Sequence, residues 1–356
     1  MKEHHRTIII GAGLSGLYTA WQLKQQNQDV IVLEARERCG GRILSIAHNN
    51  NRYDMGPAWV WPQLQPRLEK LIDELSLNIF PQFINGDMLY EKSASEIERI
   101  NGQSSHQHSY RLENGNASLI DALLSKLSND TVHLKTQVKS INTDSCNIET
   151  LRDGKVCEYS ADNIILALPP RLLLQNINIS PALSDTTIEA LNNTPTWMSA
   201  HSKMVFIYDK PFWRDQNLSA EVFSHYGPLS EIYDGSPANN EFFALTSFVG
   251  LNAHQRQQIE REQLITSCLA QLQRLFGEQC LNKIDIKIKD WGTEKYTTTQ
   301  LDLNSPMHHP QYAGDLPRSF CNNKLILAGT EVAREHGGYL EGALESADEA
   351  ISLLNV

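Results

Sequence analysis

Apolar residues recur along this chain in two rhythms. Ile8, Ile9 and Ile10 form a short unbroken run, the pattern of a parallel strand buried on both faces. Leu14, Leu17, Tyr18 and Trp21 then fall at i, i+3, i+4 and i+7, which predicts a helix, and Val30 to Leu33 predicts a second strand. Further helices are marked by Leu64, Leu68, Leu71, Ile72 and Leu75, and by Leu119, Ile120, Leu123, Leu124 and Leu127. Short strands are predicted at Val132–Val138, Asn147–Leu151 and Asn163–Leu168, the last stopped by Pro169-Pro170. Residues 85–110 are polar and rich in Ser, Asn and His, and read as a loop excursion.

A second body begins near Thr194. Strands at Lys203–Tyr208 and Phe242–Phe248 lead to a helix carrying Leu264, Cys268, Leu272 and Leu275. Ile284, Ile286 and Ile288 then alternate with Asp285, Lys287 and Lys289, the signature of a half-buried strand. The chain returns to the first body through Leu325–Gly329 and a last helix with Leu340, Ala343, Leu344, Ala347 and Ile351. The fold class is therefore α/β. A discontinuous Rossmann-like body over 1–80, 110–190 and 290–356 is interrupted by a mixed α+β body over 81–109 and 191–289.

Composition narrows the function classes. At 356 residues the chain can bury one large core or two domains. A net charge of −11 disfavours nucleic-acid binding. The six cysteines, at 39, 146, 157, 268, 280 and 321, form no CxxC pair, so neither a zinc site nor a disulfide frame is suggested and a reducing cytoplasm is expected. No apolar run approaches a membrane span, no signal peptide is expected before the first strand, and Leu353-Leu354-Asn355-Val356 carries no tail. No metal cluster is expected; His308-His309, beside Pro310, reads as a solvated turn.

The chemistry lies at the two ends. Gly11-Ala12-Gly13-Leu14-Ser15-Gly16 joins the first strand to the first helix, and Glu34 ends the second strand. Gly11 permits the tight turn, Gly13 lets a pyrophosphate approach the backbone, and Gly16 lets helix and strand pack. The helix N-terminus faces the phosphates, and Glu34 can accept from ribose hydroxyls. Ala35-Arg36-Glu37-Arg38-Cys39-Gly40-Gly41-Arg42 adds paired glycines and a forked cation, more than a plain NAD site needs. Near the other end stand Gly329-Thr330-Glu331 and Gly338-Tyr339-Leu340-Glu341-Gly342-Ala343.

Together these stretches resemble the flavin-containing amine oxidase (monoamine oxidase-like) superfamily. Tyr53-Asp54-Met55-Gly56-Pro57-Ala58-Trp59-Val60 is similar to its segment beneath the flavin ring, and Ile164–Pro170 to its strand ending in paired prolines. Lys203 to Trp213 is similar to the strand carrying a lysine near flavin N5, and the two C-terminal stretches resemble the flavin cap. The resemblance implies a GR2-type FAD-binding domain with an inserted substrate domain. It implies FAD contacts from Gly11, Gly13, Leu14, Ser15, Gly16, Glu34, Ala35, Arg36, Gly41, Arg42, Gly56, Pro57, Ala58, Trp59, Val138, Trp291, Gly329, Glu331, Gly338, Tyr339, Leu340 and Ala343. Lys203 would hold a water at N5, Tyr339 would wall an aromatic cage and Trp59 would line the cavity. Glu331 would meet the ribityl or pyrophosphate region.

Two departures stand in the segment led by Trp291. Gln300 falls where the family's linking cysteine would be, so FAD is expected to be noncovalent. Leu301 falls where a second cage tyrosine would be, so the wall facing Tyr339 is expected to be aliphatic. The implied activity is oxidation of a small amine by hydride transfer to flavin N5, with O₂ reduced to H₂O₂. Two alternatives share the frame: a desaturase or dehydrogenase of a hydrophobic ring or polyene, and a non-catalytic flavin-binding partner protein.

Overall fold

The computed structural model describes residues 3–102, 104–304, 308–312 and 316–354, so the last two residues of the C-terminal stretch lie outside it. Two large sheets organise the chain. The first takes strands in the order Asn178–Ser180, Thr136–Asn142, Asn147–Arg152, Lys155–Leu166, Glu3–Ile10, Val30–Leu33 and Val132–His133. Lys155–Leu166 is its spine. It begins antiparallel to Asn147–Arg152, then runs parallel to both Glu3–Ile10 and Leu325–Leu327. Strands from near both termini thus flank one strand from the middle.

The apolar run of the first strand does what its pattern predicts. Ile9 packs on one face with Leu17, Leu23, Ile165, Ile326 and Leu344. Ile8 and Ile10 pack on the other with Ile31, Leu33, Ile164, Leu325 and Leu327. A parallel sheet covered on both faces requires this apolar continuity. Helices Leu14–Gln25 and Leu340–Leu353 cover the first face together, joined by a 3.1 Å hydrogen bond from Tyr18 Oη to Asp348 Oδ1.

The second sheet runs Asp285–Asp290, Ser202–Tyr208, Phe243–Val249, Leu229–Asp234, Leu218–Ser224, Asp87–Ser93 and Glu96–Ile100. Met204, Phe206 and Tyr208 point into a core with Leu264, Cys268 and Leu272 of the helix Arg261–Phe276. Lys203, Val205 and Ile207 take the opposite face by strand alternation, where Val205 and Ile207 meet Tyr53 and Met55. The segment Met55–Trp59 therefore lies over the sheet face that carries Lys203.

Several sequence expectations are corrected. Residues 85–110 are not a loop excursion: they hold the hairpin of Asp87–Ser93 and Glu96–Ile100, the edge of the second sheet. Its polar appearance has a physical cause. Glu91 is fully buried and is satisfied by Arg274, with Nε and Nη2 at 2.8 and 2.6 Å, and by Gln271 Nε2 at 2.8 Å. Leu64 does not join the helix Pro66–Glu74; it ends a short 3-10 turn and is 68% exposed. Ile284 precedes its strand and is also exposed. Among the described residues no helix is long and apolar enough to cross a membrane.

Candidate active site

A cavity of about 580 Å³ runs between the two sheets, within the range of roughly 300–1,000 Å³ typical of ligand sites. One end is built by the first strand–helix turn. Gly11 takes φ +107°, and a Cβ there would come within 2.5 Å of Ala167 O. At Gly16 a Cβ would meet Gly11 O at 2.0 Å, so this glycine serves helix–strand packing and does not line the cavity. Gly13 is different: a Cβ there meets no protein atom within 4 Å and would enter the cavity. The space beside Gly13 is shaped for something other than protein.

Gly13 is also the N-cap of helix Leu14–Gln25, and no side chain caps it. The N-terminus of helix Leu340–Leu353 also lacks a side-chain cap, and Leu14, Ser15 and Leu340 line the same cavity. Two helix N-termini with unsatisfied N–H groups favour an anionic or electron-rich ligand. Glu34 closes this end. Its Oε2 accepts from Ala12 N at 2.8 Å and its Oε1 from Arg36 N at 2.9 Å. These bonds fix the carboxylate and leave lone pairs for ligand hydroxyls. Arg36 Nη2 donates to Thr297 Oγ1 at 2.7 Å, and Arg42 borders the cavity with Nη1 2.7 Å from Glu331 Oε1.

The other end is aromatic. Lys203 is buried, donates from Nζ to Gly56 O at 3.0 Å, and lies 5.5 Å from the Trp59 ring centroid and 5.4 Å from that of Phe248. Burial pushes its ammonium down to about 8; Asp54 opposes this and Arg111 adds to it. Trp59 donates from Nε1 to Gln82 Oε1 at 2.8 Å and packs on His106, Tyr233 and Phe248. Tyr339, at the N-cap of the last helix, is 37% exposed.

Among the residues expected to contact the cofactor, the turn residues Gly11, Gly13, Leu14 and Ser15 line this cavity, as do Glu34, Ala35, Arg36, Gly41 and Arg42. Gly56, Pro57, Ala58, Trp59, Val138, Trp291, Gly329, Gly338, Tyr339, Leu340 and Ala343 also line it, and Lys203 joins them. Glu331 does not: it is buried behind the wall as the partner of Arg42. Leu301 is the larger correction. Thr299 and Asp302 form a capping box that starts a short helix Gln300–Leu303. The cap draws Asp302 inward, where it also meets Arg171 Nη1 at 2.7 Å, and turns Leu301 outward to 53% exposure. Gln300 and Leu301 border a separate, smaller pocket.

The neighbours of Tyr339 are instead Trp197, with ring centroids 4.7 Å apart, and His309, stacked at 5.1 Å and 18°. His309 is exposed, as expected of a solvated turn, and its ring stacks on this aromatic wall. His106, Trp197, Glu231, Tyr233 and Phe248 also line the cavity, and the sequence reading missed them. Only Phe248 sat in a predicted strand, where alternation with Ser247 marks its face. His106 sits in polar sequence with no local pattern to mark it.

The residues at the first end fit a flavin dinucleotide: an open cradle at Gly13, two uncapped helix ends and a fixed acid. No cysteine lines the cavity among the described residues. The family model "Flavin containing amine oxidoreductase" matches residues 80–350, and "NAD(P)-binding Rossmann-like domain" matches residues 9–75. The "Probable flavin-containing monoamine oxidase A" of Dictyostelium discoideum is 25% identical over 97% of this chain and 96% of its own length. The putrescine oxidase of Kocuria rosea is 22% identical over 82% of each. In fold, a putrescine oxidase solved with putrescine bound superposes with a TM-score of 0.84 at 20% identity, covering 99% of both chains. A cyclohexylamine oxidase from Brevibacterium oxydans gives 0.82 at 17% identity, covering 98% of both. This chain belongs to the flavin-containing amine oxidoreductase family and is an FAD-dependent oxidoreductase of the amine oxidase type, its FAD held noncovalently.

Proposed function

We propose that the enzyme oxidises the carbon beside the nitrogen of a small amine and uses O₂ as its electron acceptor. One amine, one O₂ and one water give one carbonyl compound, one ammonia or shorter amine, and one H₂O₂. Bound FAD supplies the redox chemistry, taking a hydride equivalent from the substrate and delivering two electrons to O₂. The chain's own residues bind, orient and keep water out. Gly13, Leu14, Ser15 and Arg42 would hold the diphosphate, and Glu34 the adenosine ribose. Leu340 N–H, at a helix N-terminus, would stabilise negative charge at the pyrimidine edge of the ring.

Trp59, Phe248 and Tyr339 would enclose the amine, and their apolar surfaces favour its neutral form. The observation that carries this reading is Lys203, a buried ammonium tied to Gly56 O on the cavity face. A buried cation beside a redox site can hold a water and stabilise the negative charge that builds as O₂ is reduced. Lys203→Met keeps the length of the side chain and removes the charge. Stopped-flow traces should then show the oxygen half-reaction slowed about 10-fold or more and substrate reduction changed much less. Equal slowing of both halves, or neither, would make Lys203 a structural strand residue. The free thiols of the six cysteines support a cytoplasmic setting.

A further inference from the structure

One stretch of the cavity wall is held in a conformation that its residue type disfavours. Met198 takes φ +58°, a left-handed backbone that a methionine keeps only where its surroundings impose it. Here they do. Thr298 Oγ1 donates to Ser199 O at 2.6 Å, Arg256 Nη2 to Ala200 O at 2.7 Å and Trp291 N to His201 O at 2.9 Å. His201 N donates back to Met198 O at 3.1 Å. Arg256 is itself buried and anchored by Asp290, with Nε and Nη2 at 2.8 and 2.6 Å. Each carbonyl from Met198 to His201 is thus fixed, and the turn presents Trp197, Met198 and His201 to the cavity.

Of these three, His201 has polar side-chain atoms that the protein leaves unused. Its Nδ1 is buried with no hydrogen-bond partner among the described residues. Nε2 is then the ring nitrogen that can face the cavity. Burial, and after it the Arg256 guanidinium, push the imidazole down to about 4, so the ring is neutral near pH 7. A neutral imidazole carries one N–H. On Nδ1 that N–H would be buried without an acceptor; on Nε2 it is a donor aimed into the cavity.

His201 is tied to both ends of the cavity. Trp291, which bonds to its carbonyl, donates from Nε1 to Met55 O at 2.8 Å, and the next residue, Gly56, accepts from Lys203. Trp291 leads along the chain to Thr297 and so to Arg36 at the dinucleotide end; Lys203 leads to Trp59 and Phe248 at the aromatic end. A dinucleotide with its adenosine at Glu34 and its diphosphate at Gly13 brings its flavin ring to this middle stretch. We propose that His201 is a cofactor-contacting residue whose Nε2–H donates a hydrogen bond to the flavin ring and raises its reduction potential. Reduction adds two electrons and leaves the ring more negative, so a fixed donor favours the reduced form over the oxidised one. The inference goes beyond the amine-oxidising reading: it concerns the cofactor and holds whichever substrate the cavity takes.

The midpoint potential of the flavin in the holoenzyme, measured by equilibration with a dye of known potential, tests this without any substrate. His201→Leu removes the donor and should make the flavin about 10-fold or more harder to reduce, a fall of about 30 mV for a two-electron couple. His201→Gln returns an N–H donor on a side chain of similar reach and should recover most of that fall. An unchanged potential in His201→Leu, or an equal fall in His201→Gln, overturns the proposal. Should the leucine variant fail to fold or to retain FAD, the wild-type holoenzyme decides, grown with nitrogen-labelled histidine. The Nε2 signal of His201, identified by its loss in His201→Gln, should be that of a protonated nitrogen and should shift when dithionite reduces the flavin. An Nε2 without a proton, or one that does not respond to reduction, overturns it.

Discussion

At the scale of single residues, the site works by putting charged groups where water cannot satisfy them. Lys203 is the clearest case. Burial lowers its pKa to about 8, so it is charged below that pH and neutral above it. If its charge assists O₂ reduction, the oxygen half-reaction should slow as pH rises through about 8. That limb should vanish in Lys203→Met, as rapid-mixing measurements across pH would detect. Glu34 makes a different prediction. Its carboxylate accepts two backbone N–H groups before any ligand arrives. Glu34→Ala should therefore destabilise the FAD-free protein as well as weaken FAD binding, by about 1.5–3 kcal/mol for each hydrogen bond lost. Thermal melts with and without added FAD separate the two effects; a loss seen only with FAD would mean that the backbone bonds contribute little.

Legibility at this scale divides along chemistry. Gly11, Gly13, Gly16 and Glu34 were readable because a phosphate turn constrains both residue type and spacing. Leu301 was misread because a spacing of ten residues from Trp291 says nothing about where a capping box will turn the chain. Trp197, His106 and Glu231 were invisible because each lines the cavity from sequence with no local pattern of its own.

At the scale of elements, the turn into helix Leu14–Gln25 assigns separate jobs to two glycines. Gly16→Ala forces a Cβ to 2.0 Å from Gly11 O, and should cost on the order of 1–3 kcal/mol of stability as an overpacked contact. Gly13→Ala meets no protein atom and has an ordinary negative φ. It should leave the melting temperature of the FAD-free protein nearly unchanged while raising the FAD dissociation constant by about 10-fold or more. Equal loss of stability in both variants would mean that the space beside Gly13 is not a ligand cradle. The hairpin Asp87–Ser93 and Glu96–Ile100 shows why periodicity failed in the second sheet. A strand whose buried positions include Glu91, neutralised by Arg274 and held by Gln271, does not read as apolar. The same holds for Leu218–Ser224 and Leu229–Asp234, whose cavity and interior positions include Glu221, Glu231 and Asp234.

At the scale of the whole molecule, strands from both ends of the chain pair with the spine Lys155–Leu166, and the helices that follow them point their N-termini at one cavity. The dinucleotide end could be read from sequence because its turn is local; the substrate end could be read only in part, at Trp59, Lys203 and Tyr339, because the rest of it is assembled across two sheets. Noncovalent FAD predicts that acid denaturation and centrifugation leave the yellow colour in the supernatant; colour in the pellet would mean a covalent link. The central claim, amine oxidation at this cavity, is tested most directly by anaerobic mixing of the purified holoenzyme with a panel of amines. At least one amine should bleach the flavin rapidly, and admitting O₂ should restore the colour with release of one H₂O₂ per amine consumed. A flavin that stays oxidised against every amine in the panel, while a chemical reductant bleaches it freely, would contradict it.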